Sequence, residues 1–516
     1  WGTLVGKPRR SKSVVLLTCA LDSTGLFHDA AYGALDAASS IATVLAAADA
    51  LARYLSPDKI TALSSTIGLA LFQGEEFGYI GSRRFVADLA TFSDENSDSG
   101  GGCQNPVDPL DMPNLEAACL DPLYPSLAFT NLSLAKIKHI LAVDQVGGGS
   151  FSDDDVTTMY THTSSSATTT TNGAEAEEAV LLAASTLSST SRISVSAGSS
   201  SDLPPSPLTS FLQAPGGGDV SGTVVGGYDS VFVDPKYHSH YDTTARDMTS
   251  LDAGVITDTA TLVARAAYTL AGGDDDDVLP EANETLVGEL IDCLTTSWRC
   301  NLMAMYIESE VKAIGSAMGI KLTSADIDFG SEPPSYYVSV LSPGTGQPLV
   351  AHNKMVYAKI PADGTFKKGE DRIYVLPSAL EMFTRAFLAD ILGSGSTDEE
   401  TFYCETESDC GICPLSSGGG RMECVANGRC VCHTAFYHTA LDPGLEADES
   451  PGVFTVMNAS EPLYAEPTWG IIGATTYMIA GTLSGAFVLS LGIVLLVASV
   501  KGSYAIASRL IAADLL

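Results

Sequence analysis

Positive charge is what this sequence has least of. Lys and Arg number 27 against 62 Asp and Glu, a formal net charge of −35 over 516 residues. Without a basic stripe to neutralise phosphates, nucleic-acid binding is excluded. Charge of either sign is scarce, at 17% of residues, while 45% are apolar. That balance excludes wholesale disorder and supplies a large core. The length accommodates roughly two to four domains, and no internal repeat is visible. No leader opens the chain, which begins at Trp1 and enters a strand-like run by Val14. Export requires a signal, so the natural N-terminus is expected to precede Trp1.

A second shortage is local. No charged residue lies between Glu466 and Lys501, and the mean hydropathy of +0.17 is high for a soluble protein. The stretch 470–500 exceeds the ~20 apolar residues that cross a ~30 Å hydrocarbon core, so it is expected to hold one C-terminal transmembrane helix, tilted or trimmed. Tyr464 and Trp469 precede it where aromatic belts lie, and Lys501 and Arg509 follow it. This order predicts a single-pass type I protein of the endoplasmic reticulum, Golgi, endosomal or plasma membrane. Residues 501–516 would be cytosolic and the acidic bulk lumenal or extracellular. Gly481, Ser484, Gly485 and Ala486 form a small-residue face suited to packing on another membrane helix.

All 11 cysteines and three N-x-S/T glycosylation sequons, at Asn131, Asn283 and Asn458, lie before that span. Cys404, Cys410, Cys413, Cys424, Cys430 and Cys432 crowd into 29 residues. Their spacing suits a small disulfide-stapled, EGF-like module over 401–435. Cys410-Gly-Ile-Cys413 is also a Cys-x-x-Cys, but redox sites of that type sit at a strand–helix junction and this is a Gly/Ser loop. Zinc, with His433 nearby, is the other alternative. Cys103 with Cys119, and Cys293 with Cys300, can pair locally. Cys19 is left over as a buried free thiol.

Over the first 300 residues strands alternate with helices. Val14–Cys19, Ile67–Phe72 and 137–144 are short, continuous apolar runs, as buried parallel strands should be. Asp36–Tyr54, Ser82–Leu89 and Leu251–Leu270 read as helices between and after them. The pattern predicts an α/β fold, a mixed sheet with helices on both faces, whose ligands bind at the C-terminal strand ends. Polar insertions are expected at 91–113 and 150–207, the second carrying one helix near 174–187. Residues 306–400 form an accessory region, with strands at Tyr336–Leu341 and Met355–Ile360 and a helix at Ser378–Leu392. A juxtamembrane segment, 436–469, leads to the span.

The densest chemical signal is Gly74-Glu75-Glu76-Phe77-Gly78-Tyr79-Ile80-Gly81-Ser82, directly after a buried strand. Two adjacent carboxylates at a strand end point to different sides, so one can hold a metal while the other acts as a base. Asp22 follows the first strand, Asp36 lies in Gly33-Ala34-Leu35-Asp36-Ala37-Ala38-Ser39, Asp144 closes the third strand, and His238 stands in Tyr237-His238-Ser239-His240-Tyr241-Asp242-Thr243.

The order of these motifs resembles the zinc aminopeptidase family that also contains glutamate carboxypeptidase and the transferrin receptor. Within it, Leu21-Asp22-Ser23, Gly33-Ala34, the segment 72–83 and Tyr241-Asp242-Thr243 look most like the nicastrin branch, the large glycoprotein subunits of γ-secretase. The resemblance is dense over 1–270 and rests on architecture alone over 300–465. It implies an aminopeptidase-like core over 1–305. It matches Asp36 to the bridging zinc ligand, Glu75 to the general base, Glu76 and His238 to ligands of the second zinc, and Asp144 to a ligand of the first. The active family has His-x-Asp after the first strand; Ala20 stands where that His would be, and only Asp22 remains. The nicastrin signature Asp-Tyr-Ile-Gly-Ser reads Gly78-Tyr79-Ile80-Gly81-Ser82.

The resemblance therefore implies a non-catalytic scaffold and substrate gatekeeper within an intramembrane protease complex. Glu75 and Tyr79 would face the free N-terminus of type I membrane-protein stubs. Its partners would be presenilin and the other small multi-pass subunits. No catalytic residue and no cofactor are expected. The alternative is a membrane-anchored metallopeptidase with an incomplete two-zinc site, a single zinc sitting on Asp36, Glu76 and His238 with Asp144 as the remnant of the first site.

Overall fold

The computed structural model describes residues 1–4, 12–91, 134–148, 156–163, 174–200, 202–214, 220–273, 279–317, 323–327, 329–341, 349–352, 356–359, 373–395 and 421–438, with single positions at 132, 404, 409–411 and 413. Seven strands make one sheet: β1 (Gly2–Thr3), β2 (Ser13–Ala20), β3 (Ser65–Phe72), β4 (Ile137–Asp144), β5 (Thr157–His162), β6 (Ile193–Ala197) and β7 (Ser221–Gly226). Their spatial order is β1-β3-β2-β4-β7-β5-β6. The four central strands β3, β2, β4 and β7 are parallel, β1 is antiparallel to β3, and β5 is antiparallel to β7.

The central strands are apolar on both faces because both are covered. In β2, Val15, Leu17 and Cys19 face one core, and Val14 and Leu16 face another. The larger core packs α1 (Ser39–Tyr54), α4 (Glu175–Ser185), α6 (Ala253–Leu270), α7 (Glu284–Thr295) and α9 (Ala379–Leu392). The smaller holds Phe85 and Leu89 of α3 (Ile80–Thr91) and Leu208 and Phe211 of α5 (Leu208–Gln213). A short helix α2 (Pro57–Ala62) lies between α1 and β3, and α8 (Asn301–Ala317) packs on α9. With six alanines in sixteen residues, α1 together with its run-in 34–38 is a 21-residue apolar helix of the length of a membrane span, yet 94% of its most apolar window is buried. It is the core helix of the domain.

Helix starts follow their caps. Asp252 accepts from the Gly254 and Val255 amides ahead of α6, and Ser378 with Glu381 forms a capping box ahead of α9. The observed strands at Val338–Leu341 (β8) and Val356–Lys359 (β10) are shorter than expected and pair with β9 (Leu349–His352) and β11 (Ile373–Leu376). In the segment 150–207, expected as a polar insertion with one helix near 174–187, that helix is α4, and the strands β5 and β6, which were not expected, extend the main sheet. Its polarity follows from β6 being an outer strand, buried at Ile193 and exposed at most positions after it.

The cysteine-rich region is a three-stranded sheet, β12 (Ser394–Gly395), β14 (Cys430–His433) and β13 (Arg421–Cys424). Its bridges are Cys404–Cys424, Cys410–Cys430 and Cys413–Cys432. Cys293–Cys300 is a fourth, and Cys19 is a buried free thiol. Cys103, Cys119, Asn131, Asn458, the insertion 91–113 after its first residue, and the expected span 470–500 lie outside the described residues. Asn283 is exposed at the N-cap of α7, where its Oδ1 accepts from the Thr285 amide at 2.9 Å.

Candidate functional site

The chain runs from β2 to β3 on one side of the sheet and then to β4 on the other. That reversal opens a crevice at the C-terminal strand ends, where α/β sheets bind ligands. Asp22 follows β2, Glu75 and Glu76 follow β3, Asp144 ends β4, and the loop after β7 delivers His238.

The turn after β3 is held by two buried carboxylates. Asp22 accepts from the backbone amides of Glu75 at 3.1 Å and Glu76 at 3.3 Å. Glu75 accepts from the Ser82 amide at 2.9 Å and the Ser82 hydroxyl at 2.8 Å. Ser82 in turn meets Ser210 at 2.6 Å. Gly81 is required by close approach: a Cβ there would stand 2.2 Å from the Gln73 carbonyl oxygen. Gly74 and Gly78 take positive φ, and so does Tyr79 at 62°, a conformation uncommon for a side-chain-bearing residue. Tyr79 is half-buried and its hydroxyl is bonded to Thr209.

On the other side of the crevice Asp36, Glu76 and His238 converge. His238 Nε2 lies 3.1 Å from Glu76 and 3.7 Å from Asp36. His238 also has positive φ, 54°, and its ring stacks on Tyr237 at 3.6 Å. Asp36 is placed by a π-helical turn, Ala34–Ala38, whose Leu35 and Asp36 amides donate to buried Asp242 at 2.9 and 3.1 Å. Asp144 accepts from the Tyr228 hydroxyl at 2.5 Å.

Negative charge here is poorly compensated. Burial, then the neighbouring Glu76 and Glu75 carboxylates, push Asp22 well above the usual range. Burial pushes Asp36 up against the opposing pull of His238. It also raises Glu75 to about 8 despite the Ser82 bonds, and Asp144 and Asp242 to about 7.

One ligand atom each from Asp36, Glu76 and His238 falls within 4.8 Å of the others. Asp36 Oδ2 is buried with no hydrogen-bond partner among the described residues. An imidazole and two carboxylates with an orphaned oxygen fit a small divalent cation such as zinc. Asp144 stands outside this triad, turned to Tyr228, and Ala20 at the end of β2 offers no ligand. The expected residues are thus all at one crevice, in two groups. Tyr228, Ser82 and Ser210 complete them; Tyr228 and Ser210 carry no signature in the sequence, whereas Ser82 and the Asp242 anchor stood within noted motifs.

A profile of the nicastrin large lobe matches residues 13–268, and one of per os infectivity factor 3 matches 395–468. Nicastrin of Arabidopsis thaliana is 27% identical over 335 residues, 62% of this chain and 43% of that protein. Human nicastrin is 24% identical over 515 residues, 96% of this chain and 59% of that protein. The crystal structure of the gamma-secretase component nicastrin superposes with a TM-score of 0.58 at 20% identity, covering 86% of this chain and 61% of that one. The chain therefore spans about two fifths to three fifths of the length of these relatives.

Proposed function

Residues 13–268 match the nicastrin large lobe, and from that premise we propose that the chain is a non-catalytic nicastrin-like subunit of a γ-secretase-type intramembrane protease complex. It acts as scaffold and gatekeeper for membrane-protein stubs, and its partners are presenilin and the small multi-pass subunits. The span 470–500 anchors it as a type I membrane protein, with Asn131, Asn283 and Asn458 glycosylated on the lumenal side. The observation that carries this reading is the crevice itself: of five buried or half-buried acids gathered there, Asp36 and Glu76 meet the His238 imidazole, and Ala20 stands where a two-metal peptidase would place a second.

Such a pocket attracts a cation, and the α-ammonium of a peptide is one. Glu76 and Asp36 offer their oxygens toward it, while Tyr228 orients Asp144. Glu75, expected to face the substrate with Tyr79, has both oxygens engaged by Ser82. Its contribution is to fix the turn that aims Glu76. Co-purification from native membranes tests the reading: recovery with presenilin supports it, and recovery alone overturns it.

The second reading, a metallopeptidase with one zinc, is favoured by the orphaned Asp36 oxygen. Asp36, Glu76 and His238 would hold the ion, which would supply Lewis-acid polarisation of a bound carbonyl. Ala20 cannot help to bind a second ion, so hydrolysis of peptides is expected to be negligible. Stoichiometric zinc together with aminopeptidase turnover lost in Glu75→Gln would establish this reading instead.

A further inference from the structure

Between β6 and β7 the chain makes the short helix α5, entered through Leu203-Pro204-Pro205-Ser206-Pro207. The helix is seated from two sides. Leu208 and Phe211 are buried in the smaller core, where the Phe211 ring lies 6.2 Å from Phe72 of β3 and 6.4 Å from Phe85 of α3. Against β7 the fit is closer: a Cβ on Gly222 would stand 2.4 Å from Leu208 Cδ1. A helix clasped in a close-packed core cannot shift alone. Its Thr209 and Ser210 reach the turn that follows β3. Ser210 is buried, with its Oγ 2.6 Å from Ser82 Oγ, and the Thr209 side chain bonds the Tyr79 hydroxyl. Ser82 Oγ donates to Glu75 Oε2 at 2.8 Å. A hydroxyl has one proton, so toward Ser210 it accepts, and Ser210 donates. Ser82 also has a competing acceptor, the Tyr79 carbonyl oxygen at 3.4 Å. A hydroxyl that accepts a hydrogen bond becomes a stronger donor, so Ser210 strengthens the bond from Ser82 to Glu75.

We propose that Thr209 and Ser210 of α5 are positioning residues for the turn 74–82, holding Glu75 and Tyr79 so that Glu76 is aimed at the ammonium group of a peptide. The inference rests on the ammonium reading of the crevice and adds to it two residues that act through the turn. Asp22 holds that turn by its backbone amides, and α5 holds it by its side chains. Both restraints are needed because the turn is conformationally costly. Tyr79 sits at a φ of 62°, which persists only where the surroundings impose it. Thr209 fixes the far end of that side chain, and Ser210 fixes Glu75 through Ser82.

The test uses the full chain in detergent and a short neutral peptide with a free or an acetylated N-terminus. Ser210→Ala and Thr209→Val each remove a hydroxyl at nearly constant volume, and Thr209→Ser keeps it. Each loss is expected to weaken binding of the free peptide about fivefold, the worth of one hydrogen bond, and to leave the acetylated peptide unchanged. Thr209→Ser is expected to bind the free peptide within about twofold of the unaltered chain. Hydrogen exchange reads the turn with no peptide present: the amides of 75–82 are expected to exchange about fivefold faster in Ser210→Ala, with β2 and β4 unchanged. Unchanged exchange in the turn, or a free-peptide affinity that survives both hydroxyl losses, overturns the positioning role and leaves the ammonium reading standing. Equal binding of free and acetylated peptide by the unaltered chain overturns the ammonium reading and the proposal with it.

Discussion

Two groups of buried acids in this molecule have opposite fates. Under the cysteine-rich sheet, Arg385 of α9 bonds Glu310 of α8 and Glu423 of β13, the latter at 2.5 and 2.9 Å. His433 meets Glu423 at 3.0 Å, and Tyr437 donates to Glu310 at 2.6 Å. Burial alone would raise Glu423, but Arg385 and His433 outweigh it and hold its carboxyl well below the usual range. In the crevice burial outweighs what opposes it, Arg83 near Glu75 and His238 near Asp36 included, and Asp22, Asp36, Glu75, Asp144 and Asp242 all move up. Paired acids staple one element to another, whereas acids left without a cation are poised to accept one.

The most severe way to break this contrast is Arg385→Leu. It turns the paired group into an unpaired one, with Glu310 and Glu423 buried and unanswered. A loss of about 3–5 kcal/mol is expected in urea unfolding, because a broken buried pair leaves its partner charge uncompensated. The next effect is an opposed response to pH. Glu75 rises from 4.5 to about 8, and Asp144 and Asp242 from 3.8 to about 7. The native state thus holds more protons than the unfolded one across that window. Their contribution is complete below the ordinary carboxylate range and is lost as pH rises through 7 to 8. Glu423 works the other way, contributing above its ordinary 4.5 and losing that as pH falls below it. The Tm should therefore peak near pH 5; a Tm that climbs steadily to pH 8 would contradict the assignment.

Smaller effects sharpen the comparison. Zinc at a hundredfold excess over its Kd should stabilise the native chain by about 2.7 kcal/mol. His238→Asn should remove that gain without altering the Tm of the metal-free chain by a comparable amount. A flat titration would leave the crevice to organic cations. Smallest is Asp22→Asn, which turns an amide nitrogen toward the amide of Glu75 or Glu76. It should cost about 1–2 kcal/mol and weaken peptide binding through Glu76; unchanged binding would detach Asp22 from the pocket.

Part of this was legible in residues alone. The unbroken runs in β2, β3 and β4 announced strands buried on both faces, and the helix expected at Ser378–Leu392 is α9. The order along the chain set Asp22, Glu75-Glu76 and Asp144 at the ends of β2, β3 and β4, whereas Asp36 sits in the π-helical turn 34–38 and His238 in the loop after β7. The strands β5 and β6 were hidden because an outer strand alternates weakly among Ser and Thr, as an exposed loop also does. The pairing of the six clustered cysteines was open in the sequence, since spacing sets which bridges are short and not which sulfurs face each other.

The sequence by itself determined the class of sheet, the crevice and the membership of the acid set, because hydrophobic period and strand-end position are properties of local order along the chain. Only the tertiary structure decided how that set divides. Glu75 and Glu76 are neighbours in sequence, yet the turn through Gly74 and Gly78 sends one carboxylate to Ser82 and the other to His238. Whether a buried acid stays charged depends on what meets it across the fold. Arg385 and Glu423 are 38 residues apart, and His238 and Asp36 are separated by most of the sheet's sequence. Compensation of charge is a property of distance in space, which a linear order does not contain.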